Sequence, residues 1–244
     1  MTETKPKLQY ETNTQRQNVL PVIIVAAGNS TRMQGTNKQF SELSGIPVII
    51  RTLLAFESCD MISRIILVTR TEDIFSLQML GTKYGISKLT DIVCGGNSRQ
   101  ESVLKGFARI AADEKNVLIH DGARPLVTDE IIRRVAEGLI NHMAVTCAVK
   151  LKDTVKKVDE KGKVITTPDR SSLVSVQTPQ GVRKDEYLNA VQKAEDVSVF
   201  TDDMSVMESA GYEVYTVEGS YKNIKITTPE DIAVAQALLE EETL

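Results

Sequence analysis

Tryptophan is absent from this chain of 244 residues, and aromatic side chains make up only 5% of it. Proteins that bind single-stranded nucleic acids stack bases on aromatic side chains, so this composition disfavours that class. The 29 Lys and Arg residues are outnumbered by 33 Asp and Glu, which gives a formal net charge of -4. A general nucleic-acid binder would show a basic excess. The sequence therefore predicts no nucleic-acid partner.

Long apolar runs and paired cysteines are also missing. No apolar stretch approaches the roughly 18 residues that span a membrane. Residues 1–18 are polar and lack the apolar segment of a secretory signal, so we expect a disordered N-terminal extension. The three cysteines, Cys59, Cys94 and Cys147, lie far apart among apolar residues. They are typical of reduced core residues in a cytoplasmic protein rather than of disulfides or a zinc site.

What the sequence does contain is an alternation of short apolar runs and helical patterns. Strands are predicted at 22–27, 65–69, 91–94, 116–120 and 144–149. Apolar residues recur at helical spacing in 47–58, 98–112 and 128–139, with Pro47 and Thr128 as start signals. This alternation predicts an α/β fold with a mostly parallel sheet covered by helices on both faces. Ligands of such sheets bind beyond the carboxyl ends of the strands.

The alternation stops at Lys150. Residues 150–177 are charged and rich in β-forming residues, with a turn at "DEKGK", and predict a protruding β-arm. Its apolar residues are too few for a core of its own, so it must lie on its own domain or on another chain. The lysines at 150–163 are typical of a solvated face. Beyond the arm we expect helices at 183–194 and after Thr201, strands at 213–217 and 223–227, and a last helix opened by "TPED". Residues 19–244 are interpreted as a single domain.

The first predicted strand leads into "AAGNSTRMQGTNKQF", a glycine-containing polar loop. It is not a P-loop, because no Gly-Lys-Ser/Thr follows, and it lacks the later glycines of a dinucleotide-binding loop. Gly28 alone is compatible with a simple tight turn after a strand. Two cations in one such loop, Arg32 and Lys38, indicate instead that the loop holds phosphate.

Three further polar segments follow predicted strands: "GGNSRQES", "HDGARP" and "NIKITTPED". Together with the first loop they offer glycine-rich backbone and the cations Arg32, Lys38, Arg124 and Lys225. The two histidines, His120 and His142, pair with no obvious nucleophile. Cations converging on glycine loops suit phosphoryl or nucleotidyl transfer, in which the protein supplies position and charge rather than a nucleophile. Two structural alternatives stay open: Asn97 and Ser98 could cap a helix, and Asp121 could be a turn residue.

These segments, with "DRSSLVSVQTPQ" and "TDDMSVME", stand in the same order and spacing as in the 2-C-methyl-D-erythritol 4-phosphate cytidylyltransferases of the non-mevalonate isoprenoid pathway. The resemblance runs from about residue 19 to the end of the chain. It implies a Rossmann-like nucleotidyltransferase fold and a homodimer interlocked by the β-arm. It also implies CTP and a polyol phosphate as substrates and Mg²⁺ or another divalent cation as cofactor.

The resemblance also implies roles for particular residues. Arg32 and Lys38 match the family's transition-state stabilisers, while Arg170 and Lys225 match residues acting on the acceptor. Matches to the nucleotide site are Ala27, Gly28, Gly96, Asn97 and Ser102. Asp121 and Arg124 match substrate-site residues, and Asp121 also matches the metal-proximal position. Thr154 and Arg170 match arm residues that reach the neighbouring subunit's acceptor, and Thr201 completes that pocket.

The chain departs from the family pattern at Asn97, where an acid is familiar, and at Gly122, where alanine is common. Ribitol-5-phosphate cytidylyltransferase is the closest alternative, since both acceptors are short polyol phosphates. A non-catalytic nucleotide-binding protein and a dinucleotide-dependent oxidoreductase are alternatives from other classes. The oxidoreductase would need the glycine fingerprint that this chain lacks.

Overall fold

The computed structural model describes residues 19–28 and 37–241. A seven-stranded sheet has the strand order β11-β7-β10-β6-β1-β4-β5. Its strands are β1 (Leu20–Val25), β4 (Ile62–Thr69), β5 (Leu89–Cys94), β6 (Asn116–Asp121), β7 (Ala144–Lys150), β10 (Val174–Arg183) and β11 (Val214–Glu218). Every neighbouring pair is parallel except those made by β10, which runs antiparallel to β6 and β7. The predicted mostly parallel sheet is confirmed.

Seven α-helices lie among the described residues, and the pairing of short strands β2 (Glu42–Leu43) and β3 (Ile46–Pro47) precedes the first of them. The helices are α1 (Val48–Ser58), α2 (Ile74–Lys83), α3 (Arg99–Phe107), α4 (Asp129–Asn141), α5 (Lys184–Lys193), α6 (Asp203–Ser209) and α7 (Pro229–Glu241). The sequence analysis did not predict α2, and α3 ends at Phe107 rather than at 112.

Successive side chains of β1 point to opposite faces of the sheet and pack into two different cores. Val22 and Ile24 pack into the cluster that contains buried residues of α1, α2 and α4. Ile23 packs into the opposite cluster, with residues of α3, α5 and α6. The helices therefore cover both faces, as predicted. A third, smaller cluster joins Leu43 and Val48 to Ile226 and to Ala235 of α7.

The segment 223–227 is not the strand that its alternating isoleucines predicted. Its backbone instead crosses the carboxyl edge of the sheet, where the Ile226 amide donates to the carbonyl of Ala123 at 2.8 Å. The buried Asn223 side chain donates to the Thr178 carbonyl at 2.9 Å. The alternation arises because Ile226 is buried against α7, not because the segment pairs with another strand.

One predicted helix cap is wrong, and another lacks the expected hydrogen bond. The N-cap of α6 is Asp202, whose side chain accepts from the Ser205 amide in a capping box, and not Thr201. Thr128 occupies the N-cap position of α4 as predicted, but its side chain makes no capping hydrogen bond. Aspartate accepts an amide hydrogen bond at this position as well as threonine does, which is why sequence alone misplaced the α6 cap by one residue.

The β-arm (150–177) extends the hairpin between β7 and β10, in which Val174 pairs with Lys150. Its outer part pairs β8 (Lys157–Val158) with β9 (Val164–Thr166). Nearly all of residues 151–176 are exposed or half-buried, so the arm does not fold back onto its own domain. Exposed apolar side chains lie along it: Val158, Val164, Ile165, Val174 and Val176.

Candidate active site

The carboxyl ends of four parallel strands meet at one edge of the sheet. Val25 at the end of β1 pairs with Asp121 at the end of β6, and Thr69 of β4 pairs with Cys94 of β5. After β1, β5 and β6 the chain enters three of the polar segments identified from the sequence. The fourth segment crosses the same edge, where the Ile226 amide donates to the Ala123 carbonyl. The described parts of all four segments therefore lie at the usual ligand edge of an α/β sheet.

A cavity of about 450 Å³ opens at this edge. Its lining includes eight of the predicted site residues: Ala27, Gly28, Lys38, Gly96, Asn97, Ser102, Asp121 and Lys225. The Lys38 ammonium donates to the carbonyl of Ile226 at 3.1 Å, which ties it to the segment that also carries Lys225. Backbone of the first glycine loop thus lines the same cavity as Lys225, a cation from the far end of the chain.

The "GGNSRQES" segment forms one wall of this cavity as a tight turn into α3. A Cβ on Gly95 would lie 2.3 Å from the Cβ of Ala27, so only glycine lets these two loops approach. The Gly96 amide donates to Ser102 Oγ at 3.0 Å. Of the two residues considered as helix caps, Ser98 is the one that caps α3, by accepting from the Glu101 amide. Both Asn97 and Ser98 line the cavity.

Asp121 is held between two cations. Its Oδ2 lies 2.6 Å from Lys225 Nζ and its Oδ1 lies 3.5 Å from Arg99 Nε. Burial acts to raise the pKa of Asp121, but the charges of Arg99 and Lys225 outweigh it and lower that pKa well below its usual range. The carboxylate is therefore ionised at any physiological pH. It is a poor general acid but a suitable ligand for a hard cation.

A second cavity, of about 240 Å³, shares Arg99 and Asp121 with the first. Its other lining residues include the predicted Arg124 and Thr201, together with Val176, Gln177, Thr178, Gln180 and Asp202. Arg124 Nη1 donates to the Asn223 carbonyl at 2.8 Å, while its buried Nε has no acceptor among the described residues. The Arg124 guanidinium therefore still has N–H groups free to donate. The cavity beside it is large enough for a small polar ligand.

Arg99 belongs to the "GGNSRQES" segment, but the sequence did not predict it as a site residue. It lies in both cavity walls and bridges two carboxylates, at 2.7 Å to Asp203 and 3.5 Å to Asp121. Burial acts to lower the pKa of Arg99, but Asp203 and Asp121 outweigh it and raise that pKa. An arginine in the first turn of a helix gives no sequence signal of this kind, because its partner Asp203 is 104 positions away.

His120 is fully buried and supports Asp121 through a chain of hydrogen bonds. The Asp121 amide donates to Thr178 Oγ1 at 3.1 Å, and Thr178 Oγ1 lies 3.0 Å from His120 Nδ1. His120 Nε2 lies 3.2 Å from the carbonyl of Arg124, which can only accept. Nε2 must therefore carry the proton. Burial lowers the pKa of the His120 ring, which is therefore neutral, so Nδ1 accepts from the threonine hydroxyl. The neutral ring positions Asp121 and Arg124 rather than transferring protons.

This arrangement predicts a pH dependence of stability. Burial lowers the pKa of His120 from 6.5 to about 3, against the opposing charge of Asp121. The unfolded chain therefore binds a proton that the folded chain excludes, and the free energy of unfolding falls as pH drops below 6.5. The slope reaches at most about 1.4 kcal/mol per pH unit. Denaturant titrations of wild type and His120→Gln between pH 7.5 and 4.5 should show a shallower slope for the variant. Equal slopes would contradict the neutral, buried ring.

The arm residues Thr154 and Arg170 are exposed and line neither cavity. Arg170 donates instead to the carbonyl of Lys152, which ties the two legs of the arm together. The eight residues 29–36, and Arg32 with them, lie outside the described residues, as does the predicted extension at 1–18. The roles of Arg32, Thr154 and Arg170 therefore stay predictions, as do the roles of the predicted residues that line the two cavities.

Within residues 19–28 and 37–241, no group of three or more His, Cys, Asp or Glu side chains is arranged to hold a metal ion. Mg²⁺ is usually held by one or two carboxylates together with substrate phosphates and water. Asp121, an ionised carboxylate in the wall of both cavities, fits that kind of site. The residues present are therefore compatible with a divalent cation that binds together with a phosphate substrate.

A cavity of about 640 Å³, larger than either of these two, lies elsewhere, between α2 and the edge strand β5. Asp91 is the one charged residue in its lining, so it lacks convergent charge. The two smaller cavities are chemically more distinctive because cations, glycine turns and a shared carboxylate meet there. Their position at the ligand edge of a mostly parallel α/β sheet fits a protein of the nucleotidyltransferase class.

Comparison with known proteins narrows this class. Residues 20–241 match the family model "IspD: 2-C-methyl-D-erythritol 4-phosphate cytidylyltransferase". The chain therefore belongs to this family of nucleotidyltransferases. It is 45% identical over 221 residues to the 2-C-methyl-D-erythritol 4-phosphate cytidylyltransferase of Clostridium novyi (strain NT), covering 89% of this chain and 95% of that protein. It is 44% identical over 222 residues to that of Halalkalibacterium halodurans, covering 90% and 96%.

A solved structure shows the same fold. The 4-diphosphocytidyl-2C-methyl-D-erythritol synthase of Anaerococcus prevotii superposes with a TM-score of 0.81 at 33% sequence identity. The match covers 91% of this chain and 96% of that one. The Rossmann-like fold predicted from the resemblance is thus confirmed.

Proposed function

We propose that this protein transfers the CMP group of CTP to 2-C-methyl-D-erythritol 4-phosphate, releasing pyrophosphate. The product is 4-diphosphocytidyl-2-C-methyl-D-erythritol, an isoprenoid precursor of the non-mevalonate pathway. One structural observation carries the proposal beyond family membership. Two polar cavities meet at Asp121 and Arg99, one bounded by glycine turns and the other by arginine and hydroxyl side chains. A reaction between a nucleotide and a phosphorylated polyol needs this arrangement.

The larger cavity is suited to CTP. Backbone of Ala27 and Gly28 follows β1, where a triphosphate can approach closely, and Lys38 brings positive charge to the same wall. Arg32 belongs to this loop in sequence, and we assign it the same role. The turn at Gly96 and Asn97, with Ser102 behind it, offers fixed polar groups to the edge of a pyrimidine. A base is selected there because mismatched buried donors and acceptors would lose their partners.

The smaller cavity is suited to the acceptor. Arg124 and Arg99 supply cations for its phosphate, and Thr201, Gln180 and Asp202 supply hydrogen-bonding groups for its hydroxyls. Lys225, paired with Asp121 at 2.6 Å, stands at the boundary of the two substrates. A phosphate that arrives there can take over the Lys225 charge, because ammonium groups rotate freely between anionic partners.

In the proposed reaction, a phosphate oxygen of the acceptor attacks the α-phosphorus of CTP, and the bond from that phosphorus to the bridging oxygen of pyrophosphate breaks. A phosphate monoester is already an anion near neutral pH, with a second pKa of about 6, so no general base is required. The barrier arises from repulsion between two anions. Lys38, Arg99 and Lys225 reduce this repulsion, and charge stabilisation of this kind is the main contribution of proteins to phosphoryl chemistry.

We further propose that Asp121 holds Mg²⁺, or another divalent cation, together with the phosphates of CTP. When bound, such a cation neutralises phosphate charge and acts as a Lewis acid. Asp121 suits this role because its carboxylate stays ionised, and its contact to Arg99 is long at 3.5 Å, which leaves Oδ1 open to a ligand. Lys225 would then turn from Asp121 toward the acceptor phosphate.

The exposed β-arm supports a proposed homodimer. Its apolar side chains Val158, Val164 and Ile165 are each at least half exposed, which is unusual for a monomer. A partner subunit would cover them and would receive Thr154 and Arg170 at its acceptor cavity. We propose a cytoplasmic location, which Cys59, Cys94 and Cys147 support as free thiols, although Cys94 is exposed rather than in the core as predicted. In the described part of the chain, no helix combines the length and apolarity needed to cross a bilayer.

Pyrophosphate release tests the proposed function. With CTP and Mg²⁺, release should be fast with 2-C-methyl-D-erythritol 4-phosphate and much slower with ribitol 5-phosphate. With the preferred acceptor fixed, CTP should be favoured over ATP and GTP by several kcal/mol in kcat/KM. Release that needs no acceptor would contradict the transfer reaction. Faster release with ribitol 5-phosphate would reassign the acceptor, and comparable rates with ATP would contradict the base site.

A further inference from the structure

Asp203, at the start of α6, is a fully buried carboxylate with a complete set of partners. Its Oδ1 accepts from the Tyr187 hydroxyl at 2.9 Å, and its Oδ2 accepts from Arg99 Nη2 at 2.7 Å. Its backbone amide donates to Gln180 Oε1 at 2.9 Å. The ring of Tyr187 is stacked on Phe107 at 4.8 Å. Besides its contact with Arg99, Asp203 is therefore fixed by one hydrogen bond to its carboxylate and one from its backbone amide.

The Arg99 guanidinium makes one short and one long contact with carboxylates. Its Nη2 is bound to the immobile Asp203 at 2.7 Å, whereas its Nε lies 3.5 Å from Asp121. The Arg99 side chain stays 23% exposed, while that of Asp203 has no exposed surface. The firm contact thus lies behind the cavity wall and the loose contact lies at its surface. A phosphate in the cavity can displace the loose contact, because charge-assisted hydrogen bonds near 2.8 Å are much stronger than one at 3.5 Å.

From this geometry we infer that Asp203 is a positioning residue for nucleotidyl transfer. It holds Arg99 in the wall shared by the two cavities, with the guanidinium edge directed at the acceptor phosphate as this attacks CTP. The inference rests on the proposed function and adds Arg99 to the groups that contact substrate. A rigid anchor matters because a flexible arginine would lose side-chain entropy whenever it bound phosphate. Because Asp203 already fixes Arg99 in the folded protein, this loss of side-chain entropy occurs during folding and not when phosphate binds.

The variant Asp203→Asn tests this role, since asparagine keeps the shape and can still accept from Tyr187 but cannot attract the guanidinium by charge. We expect kcat/KM for the acceptor to fall roughly 10- to 100-fold, the range of one charge-assisted hydrogen bond. The Kd of CTP, measured by titration calorimetry without acceptor, should change less than about threefold, because CTP is held mainly by the other walls. A purely structural role would not separate these two quantities.

A double-variant cycle tests whether Asp203 acts through Arg99. Arg99→Lys keeps the positive charge but lacks the planar fork, so it should also reduce kcat/KM for the acceptor. Adding Asp203→Asn to Arg99→Lys should then cause little further loss, because the guanidinium that Asp203 positions is already absent. Fully multiplicative losses would contradict the inference. So would a folded Asp203→Asn protein whose kcat/KM lies within about threefold of wild type.

Glu114→Gln is the matched control. Glu114 Oε2 lies 2.6 Å from Arg64 Nη2, and both side chains are about as buried as that of Arg99, but neither lines the two cavities. This control should leave both quantities unchanged. If Asp203→Asn does not fold, Asp203→Glu keeps the charge but displaces it by one methylene, and it should lower kcat/KM for the same reason. Wild-type activity in folded Asp203→Glu would contradict the inference. An inactive wild type would instead refute the proposed function.

Discussion

Replacing Lys38 by alanine should reduce turnover about 100-fold or more, in the range of other electrostatic stabilisers. Lys38 lies in the wall of the larger cavity, with its ammonium group 3.1 Å from the carbonyl of Ile226. Without Lys38, no ammonium group at this position would stabilise the negative charge that develops on the departing pyrophosphate. Water would stabilise that charge less well. Arg32→Ala should have an effect of the same size, because arginine and lysine act differently and neither can substitute for the other. Single-turnover measurements at saturating CTP would isolate the chemical step.

Lys88→Ala is a suitable control for Lys38→Ala. Lys88 Nζ also donates to a backbone carbonyl, that of Cys59 at 2.6 Å, but Lys88 lies before β5, at the end of the strand away from the cavities. We expect the control to keep wild-type turnover and all three variants to unfold at temperatures close to wild type. Near wild-type turnover in Lys38→Ala would show that this side chain does not stabilise the transition state.

The second large effect concerns two subunits that share each site. If Arg170 acts on the partner's acceptor while Lys38 acts in its own chain, Lys38→Ala and Arg170→Ala should each be nearly inactive alone. In a mixed dimer, one site receives both defects and the other receives neither. Random pairing makes about half of the dimers mixed, so activity should recover to about a quarter of wild type in a two-fold symmetric assembly. Co-expression with two different affinity tags would give the mixed dimers, and the fraction purified through both tags should have about half of the wild-type activity.

A second pair of variants shows whether this recovery depends on the arm. Lys225 and Lys38 line the same cavity of one chain. Mixing Lys38→Ala with Lys225→Ala therefore places one defect in every site, and no recovery is expected. If mixed dimers of Lys38→Ala and Arg170→Ala also failed to recover, Arg170 would serve its own chain's site or none.

The sequence predicted most of this architecture because the buried strands are short apolar runs that end in glycine, aspartate or other polar residues. The sequence did not predict α2, because this helix lacks the usual stripe of apolar residues on its buried face. Phe75 and Met79 of this helix are 73% and 57% exposed, and Leu77 and Gly81 are its only buried residues among the ten. Apolar residues on the solvent side remove the periodicity on which a helix prediction depends. Neither local spacing nor composition could correct this.

The candidate site was predictable where a residue lies at the end of a strand or within three residues after it, as Gly28, Gly96 and Asp121 do. It was not predictable where a residue acts through a distant partner. Arg99 and Asp203 come together only because α3 and α6 lie on the same face of the sheet. A single sequence gives no sign that two such residues form a pair. Arginine near a helix start and aspartate near a helix cap are both common because of interactions with their own neighbouring backbone.

The fate of each phosphorus of CTP tests the central claim most directly. CTP labelled at the α-phosphorus should pass its label to the polyol phosphate, in equal amount to the pyrophosphate formed, and only when the acceptor is present. CTP labelled at the γ-phosphorus should release all of its label as pyrophosphate. Transfer of the γ label to the acceptor would identify a kinase, and loss of α-labelled CMP to water would identify a hydrolase. Either result would contradict the assignment of the two cavities to CTP and an attacking phosphate.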